Sequence, residues 1–574
     1  MTADPQTAPS PASPSLPQKR LFPAWLLLIL LTALLYLPGT GDIPLMDRDE
    51  PRFAHATMEM MQKDTWLIPY FNGEYRFDKP PLTYWWMRLH YLLLGFNELA
   101  ARLHSVVAVW LVALVVFRTG KRIFSPAAAW WAAVGWLTCL QALIHGRLCV
   151  ADMPMVLCVT LTMAALLELL TGPDVNRRPF SWSWWMLWLS IGAGFLAKGP
   201  IALLVPVLAV LLWRFAFWRK PAPWRRLGLG WGVLLALAIV ASWGIPALMQ
   251  THGLFWKVGM GEHVVKRGTQ AFNGRVVLPF YYFATAFLSL LPWIAFLPLV
   301  WKHLRASWNA QTTLLLAWFT APYLIFLAYA TQLPHYVMPG FPGFFLLLGS
   351  TLAAAPSERG ISWGRFGWIY AGLMTLVAVA ALSLAWSGSW VTVNSLRWVI
   401  TAGAGLLLAL VSLGIAVERG HRVAMGLAVV LAAGCLVTFG KALRTEHPII
   451  RLTPELKQVP GDKDLLAWGF TEPSLVFYAD RQWTMLSKME RVKERLTKGR
   501  TGAVVLLRRE WTLSDRIKQW RNGSAITTSK DNQQEVDALS ASLPGAKVVD
   551  VEGYNLARSS WVELTLIIPV KAQK

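Results

Sequence analysis

Apolar runs of membrane-crossing or nearly membrane-crossing length recur along most of this chain, and they commit it to a bundle of helices in lipid. They begin near Leu21, Leu103, Ala127, Met155, Trp184, Ile201, Gly228, Leu278, Thr312, Val337, Trp368, Trp398 and Val423. Length and hydropathy together predict roughly thirteen helices, because about 20 apolar residues cross a bilayer as a helix. After Gly440 the pattern changes to a mixed, soluble one. Asp464 to Phe470, Thr501 to Leu507, Ala546 to Val551 and Trp561 to Val570 read as strands, and Ser487 to Lys498 as a charged helix. The expected organisation is a disordered Pro-, Ser- and Ala-rich segment over residues 1–20, a transmembrane domain over 21–440 and a soluble α/β domain over 441–574. Leu21 to Pro38 carries no small-residue cleavage site, so it reads as a retained first helix.

The formal net charge of +22 points first to nucleic acid, but its distribution argues otherwise. Lys19, Arg20, Arg118, Lys121, Arg122, Arg177, Arg178, Arg214, Arg219, Lys220, Arg225, Arg226, Lys302 and Arg305 fall in alternate short loops with few acids. That alternation is the positive-inside signal, and it predicts a cytoplasmic N-terminus with the C-terminal domain on the far face. The opposite face is also basic, which suits anionic lipid headgroups. Membrane lipids are therefore the expected partners, and nucleic acid is not. The four cysteines (Cys139, Cys149, Cys158 and Cys435) lie in or beside apolar runs and form no disulfide framework by their spacing.

The same parity gathers polar segments on the non-cytoplasmic face: a large first loop over residues 39–102, then 145–152, 250–278 and 331–336. Within the first loop, Pro51 to Asp64 and Leu82 to Leu94 have apolar residues at helical spacing and predict helices lying along the interface. Asp49-Glu50 precedes Pro51, so capping of the following helix competes with a chemical role for the pair. Asp78-Lys79-Pro80-Pro81 is more specific. Its prolines stiffen the backbone after Lys79, whose ammonium suits a phosphate, against the simpler reading of a snorkelling lysine. Arg147 and Asp152 flank a short turn, where an intramembrane acid is either paired or functional. Lys198-Gly199-Pro200 sits at another outer turn. Glu262 to Arg267 reads as a basic interfacial helix, and Gln332 to Tyr336 as a polar turn whose His335 and Tyr336 can donate to phosphate oxygens. For a divalent cation, Asp78 and His263, with Glu74, offer ligand atoms but no metal-site spacing. No phosphate-binding glycine loop, dinucleotide motif or nucleophile elbow is present in the sequence.

Taken together, these motifs resemble the bacterial aminoarabinose transferases, within the wider protein mannosyltransferase-like membrane glycosyltransferases. The resemblance rests on Asp47 to Ala54, Trp66 to Pro69, Asn72-Gly73, Asp78 to Leu82 and Tyr84-Trp85. It continues through Arg147, Ala151-Asp152, Ala197 to Pro200, His263 to Arg267, Leu291 to Trp293 and Leu333 to Tyr336, and fades over the soluble tail. It implies a polytopic α-helical membrane protein with the C-type glycosyltransferase fold, in the bacterial inner membrane, with its site on the periplasmic face. The implied reaction is an inverting transfer of a sugar, 4-amino-4-deoxy-L-arabinose, from undecaprenyl phosphate to lipid A. In that reading Asp49 is the base or oxocarbenium-stabilising carboxylate, with Glu50 and Asp152 orienting it or the acceptor, while Lys79, Arg267, His335 and Tyr336 hold the donor phosphate. Asp78 and Gln332 depart from the residues frequent in the family. A protein or glycan acceptor is the alternative within the class. A lipid-linked sugar transporter is the alternative outside it, disfavoured because the acids gather at one membrane edge and the sequence shows no repeated halves.

Overall fold

The computed structural model describes residues 23–172, 180–270, 278–355, 362–387, 394–512, 515, 518, 530–556 and 558–569. The expected disorder over residues 1–20, and Arg177 and Arg178, lie outside the described residues. Every apolar run expected to be helical contains a helix. Those nearest the site are Ala24–Tyr36, Glu98–Ile123, Pro126–Thr138, Asp152–Thr171, Trp182–Lys198, Ile201–Leu212, Leu229–Gln250, Ala310–Leu327 and Phe341–Ala354.

Helix length divides these apolar runs into two groups. Among the described residues, 8 helices are long and apolar enough to cross a membrane, or 9 if the pair Tyr281–Ser289 and Trp293–Ala306, bent by 107°, is one span. The other apolar runs hold shorter helices, among them Ala24–Tyr36, Trp182–Lys198 and Pro126–Thr138, the last followed after Cys139 by Leu140–His145. The Pro126–Thr138 helix is apolar because it is buried among other helices. Its Ala128, Ala129 and Ala132 let Phe341–Ala354 approach so closely that a Cβ at Gly349 would stand 2.2 Å from the Ala128 carbonyl oxygen. Hydropathy scores burial against protein and burial in lipid alike.

The first loop folds into the expected helices, Glu50–Gln62 and Leu82–Leu94, joined by a short hairpin of β1 (Tyr70–Phe71) and β2 (Glu74–Tyr75). On Leu82–Leu94 the residues Tyr84, Met87 and Tyr91 face inward, whereas Leu89, Leu92, Leu93 and Leu94 are exposed. An outward leucine face on an amphipathic helix is suited to the acyl boundary of a bilayer.

The C-terminal sheet comprises β3 (Asp464–Trp468), β4 (Trp483–Leu486), β5 (Thr501–Thr512), β6 (Lys530–Asp531), β7 (Lys547–Asn555) and β8 (Ser560–Ile568). Its order is β4-β3-β5-β8-β7, with β6 also paired to β5. The β4, β3 and β5 strands are parallel, and β8 runs antiparallel to both of its neighbours, β5 and β7. Helices cover both faces, so β5 reads as an uninterrupted apolar run, Ala503 to Leu507, buried on each side. The sheet domain sits on the first loop. Asn72 and Trp483 exchange side-chain-to-backbone hydrogen bonds of 2.8 Å each, the Tyr478 hydroxyl accepts from the Leu45 N–H at 2.9 Å, and Arg444 pairs with Glu98 at 2.8 Å.

Candidate functional site

Asp49 and Glu50 occupy adjacent positions with opposite environments. Glu50 begins its helix fully buried. Arg102 grips its carboxylate in a two-point fork, Nε to Oε1 at 2.8 Å and Nη2 to Oε2 at 2.7 Å. The Met46 N–H donates to Oε2 at 2.9 Å and the Cys149 N–H to Oε1 at 2.7 Å. Arg102 spends its remaining donors on the carbonyls of Thr40, Ile43 and Pro44. This charge is therefore committed to holding the start of the first loop against Glu98–Ile123. Asp49, one residue earlier, is exposed and makes no capping hydrogen bond. Its carboxylate is the one of the pair left open to solvent.

Beneath Asp49 lies a buried cation. Arg76 donates from Nε to the Tyr84 hydroxyl at 2.9 Å, pairs with Asp78 at 3.0 Å and stacks over Phe53. Burial opposes its charge, but Tyr84, Asp78 and Asp49 outweigh that and raise its pKa. The Tyr84 phenol is pushed up to about 12, chiefly by burial. The succession Asp49, Arg76, Asp78, Lys79 carries alternating charge from the loop corner toward the bundle.

At the bundle end, Asp152 starts a long helix and is buried. Lys198 at the end of Trp182–Lys198 reaches its Oδ1 at 2.5 Å, and His335 Nε2 lies 3.5 Å from the same oxygen. The His335 ring lies 4.5 Å from that of His145, whose Nδ1 receives Gln141, itself held by Ser289 at 2.9 Å. Lys198 also lies over the Tyr336 ring. A cavity of about 140 Å3 opens here, lined by Lys79, Lys198, Tyr336 and Tyr329 with Met155, Ile201, Leu204 and Phe326 among its apolar walls. Two ammonium groups, phenols and aliphatic side chains in one chamber match an anionic headgroup on a hydrocarbon chain.

The structure thus brings Lys79 and Tyr336 to one chamber, with His335 beside it through Asp152, and sets Asp49 and Glu50 in the loop that carries Lys79. The side chains of His263 and Arg267 lie outside the described residues. Arg147 does not pair with Asp152: it is buried and donates to the carbonyl oxygens of Leu35 and Pro38 and to Thr40. Lys198, a polar position on another helix end, takes that partnership. The carboxylate of Asp78 is engaged by Arg76, and among the described residues no group of three His, Cys, Asp or Glu side chains could hold a metal ion. Sequence reasoning missed Arg76, Arg102 and His145. Arg102 alone carried a signal, as an arginine at the very edge of the apolar run that begins at Leu103.

Fold and site define a multi-pass helical membrane protein whose polar chamber lies beneath a sheet-capped loop. The model of dolichyl-phosphate-mannose-protein mannosyltransferases matches residues 78–245, which include Lys79, Asp152 and Lys198. The fold is that of the crystal structure of ArnT from Cupriavidus metallidurans bound to undecaprenyl phosphate, with a TM-score of 0.71 at 18% identity over 95% of this chain and 98% of that one. Among curated relatives, the chain is similar to the undecaprenyl phosphate-alpha-4-amino-4-deoxy-L-arabinose arabinosyl transferase of Edwardsiella ictaluri, 30% identical over 58% of this chain and 60% of that protein. The transferase of the same name from Pseudomonas paraeruginosa is 30% identical over 62% of this chain and 65% of that protein. The chain spans about three-fifths of the length of the curated relatives it matches.

Proposed function

We propose that this protein transfers 4-amino-4-deoxy-L-arabinose from undecaprenyl phosphate to lipid A at the periplasmic face of the bacterial inner membrane. The observation that carries the reading is the chamber shared by Lys79, Lys198 and Tyr336 between apolar walls. Transfer breaks the bond between the anomeric carbon and the donor phosphate oxygen, so negative charge accumulates on the departing undecaprenyl phosphate. Lys79, Lys198 and the Tyr336 hydroxyl offset that charge where it develops, and the walls take the first isoprene units. Asp152 acts through Lys198, holding its ammonium in place. His335 and Arg267 complete the phosphate-binding set.

On the sugar side, Asp49 stabilises positive charge developing at the anomeric carbon, or accepts the proton of a hydroxyl acceptor. A lipid A phosphate is already ionised at neutral pH and attacks from the opposite face, with inversion. Glu50 acts through Arg102, fixing the loop that presents Asp49. The C-terminal sheet domain lies on the periplasmic side with this loop, and the basic outer face suits a polyanionic acceptor. The test is transfer in vitro from a labelled polyprenyl-phosphate sugar. Asp49→Asn and Lys79→Ala each reduce kcat by about 100-fold or more, the usual scale for removing one electrostatic partner of a transition state. Normal turnover by the doubly substituted protein would overturn the assignment.

A further inference from the structure

The helices that build the reaction chamber form a second cavity at their other ends. Arg102 lies near the start of Glu98–Ile123, and Val115, Arg118, Thr119 and Arg122 near its end. Asp152 starts Asp152–Thr171, and Glu168 and Thr171 finish it. Lys198 ends Trp182–Lys198, and Trp182 begins it. Gln311 lies at the start of Ala310–Leu327, whose last turns carry Ile325 and Phe326 of the reaction chamber. This second cavity measures about 240 Å3 and is walled mainly by apolar side chains, including Leu161, Ala164, Leu167 and Met186.

Among the described residues its lining carries two arginines and one carboxylate. Arg122 pairs with Glu168 at 2.8 Å, which cancels the carboxylate. Arg118 is exposed at the mouth, and among the described residues no carboxylate pairs with it. Arg226 donates to the carbonyl oxygen of Gly172, one of the lining residues, at 3.0 Å. Two helices end at the cavity and two begin there, so their terminal dipoles largely cancel and the arginines set the potential. Basic mouth, neutralised acid and aliphatic walls between membrane helices together describe a receptor for a charged lipid head and the first part of its chain.

We propose that this cavity binds one anionic phospholipid, its phosphate against Arg118 with Arg122 beside it and an acyl chain along Leu161, Ala164 and Met186. The site is separate from the donor chamber and needs none of its residues. Native mass spectrometry of the full-length protein in detergent, titrated with phosphatidylglycerol or with phosphatidylcholine of the same chains, tests it. The expected result is at least tenfold preference for phosphatidylglycerol, reduced to parity by Arg118→Gln and unchanged by Arg305→Gln, a basic residue outside the cavity. The second variant is Arg122→Gln with Glu168→Gln, which removes both charges of that pair, keeps the walls and also loses the preference. Equal binding of both lipids by the unsubstituted protein, or undiminished preference in both cavity variants, would overturn the proposal. Displacement of the bound lipid by glycerol phosphate at equal concentration would do the same, since it would assign the site to a free phosphate.

Discussion

Lys198 and Arg147 both stand at helix turns near Asp152, yet only Lys198 reaches it, because Arg147 is drawn away by carbonyl groups at the end of Ala24–Tyr36. The consequence is measurable. Asp152 and Lys198 have side chains only 8% and 14% exposed, so removing either partner strands a buried charge, at a cost of about 3–5 kcal/mol, whereas removing both does not. Asp152→Asn and Lys198→Met should each lower the melting temperature more than Asp152→Asn with Lys198→Met. All three should lose transfer activity because the chamber loses an ordered ammonium; additive destabilisation in the double variant would show the pair to be uncoupled. A similar contrast governs Glu50. Spacing and local motif made Asp49, Glu50 and Lys79 legible as a polar constellation. The division of labour within it was not legible, because the fork that consumes Glu50 comes from Arg102, 52 residues away. No local pattern announces a partner at that separation.

Elements meet most consequentially where the first loop docks on the sheet domain. Asp47, two residues before Asp49, accepts from the Ser474 N–H at 2.8 Å and its hydroxyl at 2.7 Å, with Glu472 nearby. Burial first, and then the Glu472 charge, raise the Asp47 pKa from 3.8 to about 7. The folded state therefore holds a proton that the unfolded chain releases near pH 4. The stabilisation from that proton is complete below about pH 4 and is lost as pH rises through about 7. Asp47→Asn keeps an acceptor for the Ser474 N–H and carries no charge. It should match the unsubstituted protein in thermal stability at pH 4 and exceed it at pH 8; a difference independent of pH would count against the raised pKa. The elements themselves were read unevenly. The helix Leu82–Leu94 and the long strands β5, β7 and β8 announce themselves by period and β-branched content. The four-residue β4 offers too short a period, and its place beside β3 depends on the crossover through Ser474–Ala479.

For the whole molecule, the contacts of Asp47 with Ser474 and of Asn72 with Trp483 tie the sheet domain to the first loop, so both must share one side of the membrane. A compartment-sensitive reporter after Lys574 should give the exported signal, and one at Arg225, at the other end of the bundle, the cytoplasmic signal. Agreement between the two positions would contradict the proposed topology. Helix counting could not settle this, because short buried helices and crossing helices have the same composition and parity changes with each. The acceptor is also a question for the whole molecule. The proposed donor chamber accounts for the lipid phosphate, and the proposed acceptor rests on the basic residues beside the first loop's face and on the likeness to aminoarabinose transferases. Capping a lipid A phosphate with a cationic sugar lowers the negative charge of the outer surface and weakens adsorption of cationic peptides. Deletion of the gene should therefore remove the aminoarabinose-modified species from the lipid A mass spectrum and raise polymyxin sensitivity, and complementation with the unsubstituted sequence but not with Lys79→Ala should restore both. An unchanged spectrum under polymyxin-inducing conditions would rule out lipid A as the acceptor while leaving transfer from the polyprenyl phosphate to be tested in vitro.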